Sequence, residues 1–455
     1  MKSISRQAHL LGVALCVLIA NVDLKAADWP RFLGPNADSK SEEKGLLDAW
    51  PIDGPPLEWK KEVGTGYSAP SIRNGRLILH HRVGNEEIVE SMDPRTGKAG
   101  WTFKYPSNYI DPFGYNNGPR CTPILTEDRC FVFGAEGKLY CIDIQTGKQI
   151  WMRDTAKDFD VPEAFFGVGS SPLIEGDKLI VMVGGQPNSG IVAFDTTSGH
   201  TLWESVGKNT WEGERKTGWR GEPFIKWQGY EKQASYASPV AATIHGKRHI
   251  LCLTRQGLVS LDPATGKEYF HYWFRSTAND SVNAMNPMVS GDTILISAAY
   301  YRVGSVLLKV MPDGKSLAEQ WRSTALEVHW TTPVLHEGNL YAFSGRNEPD
   351  ARFRCVEMGT GKLLWDQDER WRKSYQGPPE KYGRGSSILV DDKLIVMGEA
   401  GQLGLFYADS TAAKEISKFQ VPEMKYPCWT APVLSNRKLY LRSESRLICY
   451  NLSAN

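Results

Sequence analysis

The sequence predicts an all-β protein that folds as a single eight-bladed β-propeller of four-stranded antiparallel blades. Three observations lead to this prediction. A phrase of turn residues and an aromatic residue recurs along the chain, each copy lies in a unit of about four short strands, and the two ends of the chain supply complementary parts of one more unit. Four strands in roughly 50 residues, repeated with one aromatic residue each, are typical of propeller blades rather than of a solenoid.

The recurring phrase is the end of an apolar strand, an aspartate, two residues, Thr-Gly-Lys, two residues and an aromatic residue. The Asp side chain can bond to amides of the tight turn, and Gly takes the left-handed conformation that the turn needs. Because Asp93, Asp143, Asp195 and Asp262 recur with this turn, we interpret them as structural and not catalytic. The aromatic positions lie 44 to 67 residues apart and are Trp101, Trp151, Trp203, Phe270, Trp321, Trp365 and Phe419.

The blade count depends on the two ends of the chain. Residues 431–452 supply three strands and stop where a fourth should begin, whereas residues 57–60, with Trp59, have the pattern of an isolated fourth strand. Joining them completes an eighth blade and closes the ring, which removes the open sheet edges that promote aggregation. A count of seven or nine blades stays open at this point. The predicted propeller spans 56–455, after an N-terminal extension at 28–55.

The first 27 residues have the pattern of a signal peptide. Lys2 and Arg6 precede an apolar stretch at 10–22, and Ala26 and Ala27 offer small residues for cleavage. Cys16 follows Leu15 rather than a small residue, so no lipoprotein site is evident. No later segment is long and apolar enough to span a bilayer. We therefore expect a periplasmic or secreted protein.

Composition narrows the classes of partner and chemistry. The net charge is +1, from 53 basic and 52 acidic residues, which is no basis for proposing nucleic acid or an anionic membrane as partner. The seven cysteines after the signal peptide are scattered and predict buried small side chains, although Cys121 and Cys130 flank one hairpin and could pair. The chain has no nucleophile elbow, HExxH motif, Walker loop or dinucleotide fingerprint. We expect a monomer.

The recurring phrase resembles the tryptophan-docking motif of pyrroloquinoline quinone (PQQ) dehydrogenases, in which each Trp packs between neighbouring blades. The same repeat occurs in BamB, the non-catalytic scaffold of outer-membrane assembly. Residues 29–36, Trp-Pro-Arg-Phe-Leu-Gly-Pro-Asn, and the stretches 50–59 and 66–70 are similar to secreted bacterial PQQ-like propeller proteins. The resemblance spans essentially the whole mature chain and implies fold more than chemistry.

The resemblance leaves two functional interpretations. Many PQQ alcohol dehydrogenases carry an adjacent pair of cysteines and hold Ca²⁺ with Glu and Asn, with an Asp as base. No adjacent cysteines and no CxxCH haem site are present here, and the other positions cannot be matched. We therefore favour a non-catalytic binding or scaffold propeller with a protein or carbohydrate partner, and assign no catalytic residue, metal ligand or cofactor. The alternative is a PQQ-dependent alcohol or sugar dehydrogenase with PQQ and Ca²⁺.

A candidate ligand site follows from propeller geometry. The innermost strands line the axis, and we expect them to begin near Ser68, Thr122, Ser171, Ser238, Asn286, Thr332, Ser386 and Ala431. Residues just before them should rim a central funnel, and the candidates are Tyr67, Asn116, Arg120, Phe166, Tyr236, Trp330, Arg384 and Trp429, with Asn283 and His329 beside them. Aromatic rings with two arginines suit a sugar or a planar anion, and the alternative is that the rings plug a narrow axis.

Four long loops enter the same face, at 105–118, 157–169, 205–233 and 369–383. Large loops on one face of a rigid scaffold often carry function, which makes this loop-rich face the predicted partner surface. The loop at 205–233 contains Trp211, Trp219, Trp227 and Tyr230. The alternative is that such loops cover the ring and bury their own tryptophans.

Overall fold

The computed structural model describes residues 27–212, 233–276, 281–371 and 380–454. These residues form eight four-stranded antiparallel blades in a ring, so the predicted eight-bladed propeller is confirmed. Helical structure in the described ranges consists of one short helix, α1 at Thr155–Asp158, and two 3₁₀ turns at Tyr300–Arg302 and Glu348–Asp350. No described helix has the length and apolar character needed to cross a bilayer.

The strands follow one another around the ring in chain order, and the blades are numbered in that order. Two strands precede the first complete blade, β1 at Lys40–Ser41 and β2 at Leu57–Glu62. Blade 1 comprises β3 Ser71–Arg73, β4 Arg76–Val83, β5 Glu86–Met92 and β6 Ala99–Pro106, and blade 2 comprises β7 Ile124–Leu125, β8 Arg129–Phe133, β9 Lys138–Asp143 and β10 Gln149–Asp154. Blade 3 comprises β11 Leu173–Glu175, β12 Lys178–Val181, β13 Ile191–Asp195 and β14 Thr201–Ser205, and blade 4 comprises β15 Val240–Ile244, β16 Lys247–Leu253, β17 Gly257–Leu261 and β18 Glu268–Trp273. Blade 5 comprises β19 Met288–Ser290, β20 Thr293–Ala298, β21 Gly304–Val310 and β22 Leu317–Ser323, and blade 6 comprises β23 Val334–His336, β24 Asn339–Ser344, β25 Arg352–Glu357 and β26 Leu363–Asp368. Blade 7 comprises β27 Ser386–Val390, β28 Lys393–Met397, β29 Gln402–Tyr407 and β30 Glu415–Gln420, and blade 8 includes β31 Val433–Ser435, β32 Lys438–Arg442 and β33 Arg446–Asn451.

Both termini take part in closing the ring. The eighth blade has the order β2-β33-β32-β31, so the N-terminal strand β2 is its outermost strand, and Trp59 pairs with Cys449. The predicted closure by strands from both ends is confirmed. The short strand β1 adds a parallel fifth strand to the inner edge of blade 7, next to β27. The extension before residue 56 is therefore hydrogen-bonded to the propeller at more than one place.

Each docking tryptophan joins its blade to the next one. The indole N–H of Trp101 donates to the carbonyl of Ile144 at 2.9 Å, and its ring lies on Gly147, where a Cβ would stand 2.6 Å from the indole. Gly147 is needed for its φ of +73° and also because only a hydrogen fits beneath the ring. The same indole-to-carbonyl bond joins Trp59 to Pro94, Trp151 to Thr196, Trp203 to Pro263, Trp321 to Met358 and Trp365 to Asp409.

The turn role of the recurring aspartates is confirmed by their hydrogen bonds. Asp143 accepts the amides of Gln145 and Thr146 at 3.1 and 2.7 Å. Asp93, Asp195 and Asp262 accept amides of their own turns in the same way. The phrase thus encodes a local turn and, through its Gly and Trp, the contact between neighbouring blades.

The predicted starts of the innermost strands are two to three residues early in seven blades. A proline follows the predicted residue in each of them, as at Pro123 and Pro172, and because proline has no N–H to donate, strand pairing begins beyond it. Blade 7 has no such proline, and β27 begins at Ser386 as predicted.

The predicted start residues form a belt of hydrogen bonds between blades. The Thr122 hydroxyl accepts the amide of Ala69 at 3.2 Å, and the Ser171 hydroxyl accepts the amide of Thr122 at 2.9 Å. The belt continues from Ser171 to Ser238, from Ser238 to Asn286 and from Asn286 to Thr332. These side chains satisfy buried amides that the strand ladder does not reach, and they link blades 1 to 6 around the axis.

The seven cysteines of the described chain are buried and free. Cys121 and Cys130 do not pair, because they point into different cores. Cys121 packs with residues of blades 2 and 3, whereas Cys130 packs with residues of blades 1 and 2. The interpretation of these cysteines as small buried side chains is confirmed.

Candidate functional site

A cavity of about 330 Å³ lies on the propeller axis, at the face where the loops precede the innermost strands. Its volume is at the small end of the range for ligand pockets. Seven of the eight predicted funnel residues line it, namely Tyr67, Arg120, Phe166, Tyr236, Trp330, Arg384 and Trp429. Tyr115, Tyr300, His329, Glu348 and Tyr426 also contribute to the wall. The aromatic rings thus surround an open space instead of filling the axis.

Asn116 and Asn283 lie behind the wall. The Asn116 amide donates to Glu444 at 2.6 Å, and its side-chain oxygen accepts the amide of Gly118 at 2.7 Å. Asn283 donates to the carbonyls of Thr254 and Phe274, both at 2.9 Å. Both asparagines are buried and hold the loops that carry the lining residues.

Arg384 is the most heavily bonded charge of the cavity. Its guanidinium lies 2.9 Å from the fully buried carboxylate of Glu399 and 3.2 Å from Glu348, and donates to the carbonyl of Arg346 at 2.6 Å. It also lies over the ring of Trp330, with 4.6 Å to the centroid. These contacts hold the guanidinium in place and neutralise its charge.

Arg120, in the loop before blade 2, is paired in a similar way. Its guanidinium donates to Asp111 at 2.5 Å, a carboxylate with no exposed surface, and to the carbonyl of Asn116 at 3.0 Å. It also lies 5.8 Å from the centroid of the Tyr67 ring. Glu444 accepts the hydroxyl of Tyr67 at 3.0 Å. Both arginines of the predicted site therefore have buried acidic partners.

Trp429 is the centre of the aromatic wall. Its ring lies 5.2 to 5.7 Å from four other rings, those of Tyr67, Tyr115, Trp330 and Tyr426. Its indole N–H donates to Glu399 at 3.0 Å, so the carboxylate that holds Arg384 also orients this ring. Residues from separate blades thereby converge on one rigid surface.

His329 is neutral at ordinary pH. Its ring packs between Tyr300 and Trp330, with centroid distances of 5.2 and 4.7 Å. Burial, aided by the positive charges of Arg384 and Arg346, lowers the pKa of His329 to about 3. The cavity therefore presents an uncharged imidazole.

The floor of the cavity comes from the N-terminal extension, which the sequence did not indicate as part of the site. Phe32, Leu33 and Ser39 line the cavity. The Ser39 carbonyl accepts the amide of Leu389, deep in blade 7, at 2.9 Å. The tryptophan-proline phrase at 29–30 marks this segment in the sequence, but its position against the inner strands depends on the closed ring.

The long loops of this face differ in what they contribute. The loop at 105–118 brings Tyr115 to the cavity and exposes Phe113, and the loop at 157–169 brings Phe166. Trp211 is buried against His271 and Trp273 at the outer part of blades 3 and 4. Trp219, Trp227 and Tyr230 lie outside the described residues, as does the predicted signal peptide up to residue 26.

The described residues contain no group of three His, Cys, Asp or Glu side chains arranged to hold a metal ion. A ring of docking tryptophans around an aromatic cavity on the axis defines this chain as a PQQ-like β-propeller. Residues 84–367, more than half of the chain, match the sequence family described as outer membrane protein assembly factor BamB. The chain belongs to this family.

Known proteins of similar sequence or structure include an outer membrane protein assembly factor and several dehydrogenases. A 1-butanol dehydrogenase (cytochrome c) of Thauera butanivorans is 26% identical over 212 residues, which are 42% of this chain and only 28% of that protein. BamB of Moraxella catarrhalis has a TM-score of 0.56 at 16% identity, over 87% of this chain and 99% of that one. A quinohemoprotein alcohol dehydrogenase of Comamonas testosteroni has a TM-score of 0.62 at 13% identity, over 94% and 81%. A europium-containing methanol dehydrogenase has a TM-score of 0.65 at 11% identity, over 94% and 98%. At such low identities the structures show a shared fold.

Proposed function

We propose that this chain is an exported, non-catalytic binding propeller whose loop-rich face takes a carbohydrate, with a neutral sugar in the axial cavity. The observation that carries the proposal is the combination of an aromatic wall with arginines that already have acidic partners. Aromatic rings stack on the C–H faces of sugars. Fixed polar groups donate hydrogen bonds to the sugar hydroxyls and accept hydrogen bonds from them. The predicted signal peptide supports export, and the protein is proposed to act as a monomer.

The charges of the wall favour a neutral ligand over the planar anion that the sequence left open. A bidentate anion would have to compete for Arg120 and Arg384 with carboxylates that are already bound to them. It would also meet Glu348 at the same wall, with Glu444 bound behind it to the hydroxyl of Tyr67. A sugar hydroxyl avoids this repulsion because it can donate to a carboxylate oxygen and accept from a guanidinium.

A PQQ-dependent oxidoreductase acting on an alcohol or a sugar is the second candidate, favoured by the match to the 1-butanol dehydrogenase. The residues present do not fit the cofactor well. PQQ carries three carboxyl groups, and both cavity arginines are engaged by buried acids. The described residues also offer no cluster of ligands for a cation. Stoichiometric binding of PQQ with Ca²⁺, together with dye reduction by an alcohol or sugar, would contradict the proposal and support this candidate.

Replacing Trp429 with alanine tests the carbohydrate site. We expect affinity for a sugar identified on a glycan array to fall 10- to 100-fold, because the ring at the centre of the aromatic wall is removed, an effect of about 1.4–2.8 kcal/mol. Isothermal titration calorimetry measures the change. The matched control is Tyr407→Ala, which removes a half-exposed ring from outside the cavity and should leave affinity within twofold. Equal affinity of Trp429→Ala and wild type would show that the sugar binds elsewhere.

The neutral state of the half-buried His329 predicts a loss of stability in acid. An unfolded chain takes up the His329 proton near pH 6.5, whereas the folded chain takes it up only near pH 3. Because the unfolded state binds more protons between these values, stability falls as pH drops from about 6.5 towards 3. Between pH 7 and pH 4.5 we expect the free energy of unfolding of His329→Gln to fall by about 2 kcal/mol less than that of wild type, as measured by urea unfolding. Parallel losses in the two proteins would show that His329 is accessible to protons when folded.

A further inference from the structure

The cavity is closed at the end opposite its mouth by residues 29–41, here called the floor segment. This segment crosses the inner strands of blades on different sides of the axis. Its backbone bonds are two between Trp29 and Ile72 at 2.8 and 2.9 Å, one from Leu125 to Pro30 at 2.9 Å and one from Leu389 to Ser39 at 2.9 Å. Contact with blades 1, 2 and 7 places the segment across the channel, so the cavity is blind.

The floor segment holds an unusual backbone in place. Leu33 has a φ of +61°, and Ala37 and Ser39 have φ values of +55° and +57°. The left-handed region is costly for a bulky residue such as leucine and persists only where the surroundings impose it. Leu33 is 5% exposed, and Trp29 packs on the adjacent Gly34, where a Cβ would lie 3.0 Å from the indole. The floor is thus a rigid surface, and such strain is typical of functional sites.

The mouth, by contrast, continues outward as a line of rings. Tyr115 lies 5.7 Å from Trp429 inside the cavity, Phe166 lies 6.0 Å from Tyr115, and Phe113 lies 5.1 Å from Phe166. We call Phe113, Tyr115 and Phe166 the rim aromatics. Phe113 and Tyr115 are 56% and 52% exposed, which is high for large apolar rings on a protein surface. Tyr115 and Phe166 belong to the cavity wall, and Phe113 extends the same stacking surface beyond it.

We propose that the site recognises the end of an oligosaccharide chain, with the terminal sugar in the blind cavity and the next one or two sugars on the rim aromatics. A closed floor prevents a chain from threading through, so an internal segment cannot reach Trp429 and Arg384. The small cavity has room for little more than the terminal unit, and the rim aromatics contact the units that follow. This inference rests on the proposed carbohydrate-binding function.

The first experiment separates failure of the proposed function from failure of this inference. The full chain is applied to a glycan array, and the bound glycans are then titrated by calorimetry as fragments of one to six units. Binding to no glycan would overturn the proposed function and this inference together. For bound glycans, we expect affinity to rise from one unit to two or three units and then to level off. A continued rise to six units would contradict end recognition.

The second experiment blocks the chain ends. The best fragment is prepared with a methyl group on its reducing end or on its non-reducing end. We expect one of the two caps to weaken binding at least 100-fold and the other to change it less than threefold. Unchanged binding of both capped fragments would show internal recognition and overturn the inference, while the proposed function would stand.

Two variants assign the two parts of the site. Phe113, unlike Tyr115, does not line the cavity, so Phe113→Ala should weaken trisaccharide binding about 3- to 10-fold and leave monosaccharide binding within twofold, with Tyr407→Ala as control. Leu33→Gly should deepen the floor. The methylated fragment that wild type binds at least 100-fold more weakly should then bind within tenfold of the unmethylated fragment. Glycine adopts a φ of +61° readily, so this variant removes the side chain without added backbone strain. Equal losses of affinity for one and three sugars in Phe113→Ala would contradict the proposed division.

Discussion

Replacing Glu399 with leucine is expected to lower the free energy of unfolding by about 3–5 kcal/mol and to weaken ligand binding at least 100-fold. The buried carboxylate of Glu399 accepts the backbone amide and two guanidinium N–H groups of Arg384 at 2.9–3.4 Å. It also accepts the indole N–H of Trp429 at 3.0 Å and that of Trp371 at 3.3 Å. Removing it leaves a buried cation under-compensated and two indoles without this acceptor, and two of these three groups, Arg384 and Trp429, line the cavity.

The control for this variant is Glu86→Leu. Glu86 is 54% exposed and pairs with Lys104 at 3.4 Å, so its removal should change stability by less than about 1 kcal/mol. Urea unfolding followed by tryptophan fluorescence measures both variants, and calorimetry measures binding. If Glu399→Leu lost less than 1 kcal/mol, the carboxylate would not be the group that holds the wall together.

Replacing Gly147 with alanine is expected to lower the free energy of unfolding by about 2–4 kcal/mol. About 1 kcal/mol comes from forcing a side chain into the left-handed region at a φ of +73°, and about 1–3 kcal/mol comes from overpacking. The new Cβ would stand 2.6 Å from the Trp101 indole, and the ring would have to move away from the next blade. Movement of the ring would also lengthen its 2.9 Å bond to the carbonyl of Ile144.

Gly75→Ala is the matched control, because Gly75 has a φ of +70° and no atom within 4 Å of an added Cβ. In the Gly75→Ala variant the free energy of unfolding should fall only by the cost of the left-handed backbone conformation, about 1 kcal/mol. Thermal and urea unfolding of the two variants give the difference, which measures the docking contact between blades 1 and 2. Equal losses would mean that the Trp101 indole moves without cost and that its docking contact contributes little to the stability of the propeller.

The docking contacts could be predicted because the phrase that carries them is repeated and its parts are close in sequence. The turn of Asp143 and Gly147 is local, and the Trp that packs on it stands at the same place in the preceding repeat. The funnel residues were predicted for the same reason, since each lies a few residues before an innermost strand. The proline before most of these strands is visible in the sequence, and because it has no N–H to donate, strand pairing begins beyond it.

The pairing of the charges could not be predicted in this way. Arg384 and Glu348 lie on loops of different blades, and Glu444 meets Tyr67 and Asn116 only because the ring closes. The sequence shows which charges are present, but a repeat pattern carries no information on which unique loop residues meet at the axis. The question of whether a sugar or an anion suits the site depends on these pairings.

By itself, the sequence determined a propeller of about eight blades, and it indicated closure by strands from both termini and the residues near the axis, because alternating strands, turns and docking rings are encoded locally in each repeat. Only the closed ring decided that the count is eight and not seven or nine. Only the tertiary structure decided that the axis holds an open cavity, that its arginines have acidic partners and that residues 29–41 form its floor. Those features arise from segments far apart in the chain, such as Ser39 and Leu389, which become neighbours only when the ring is closed.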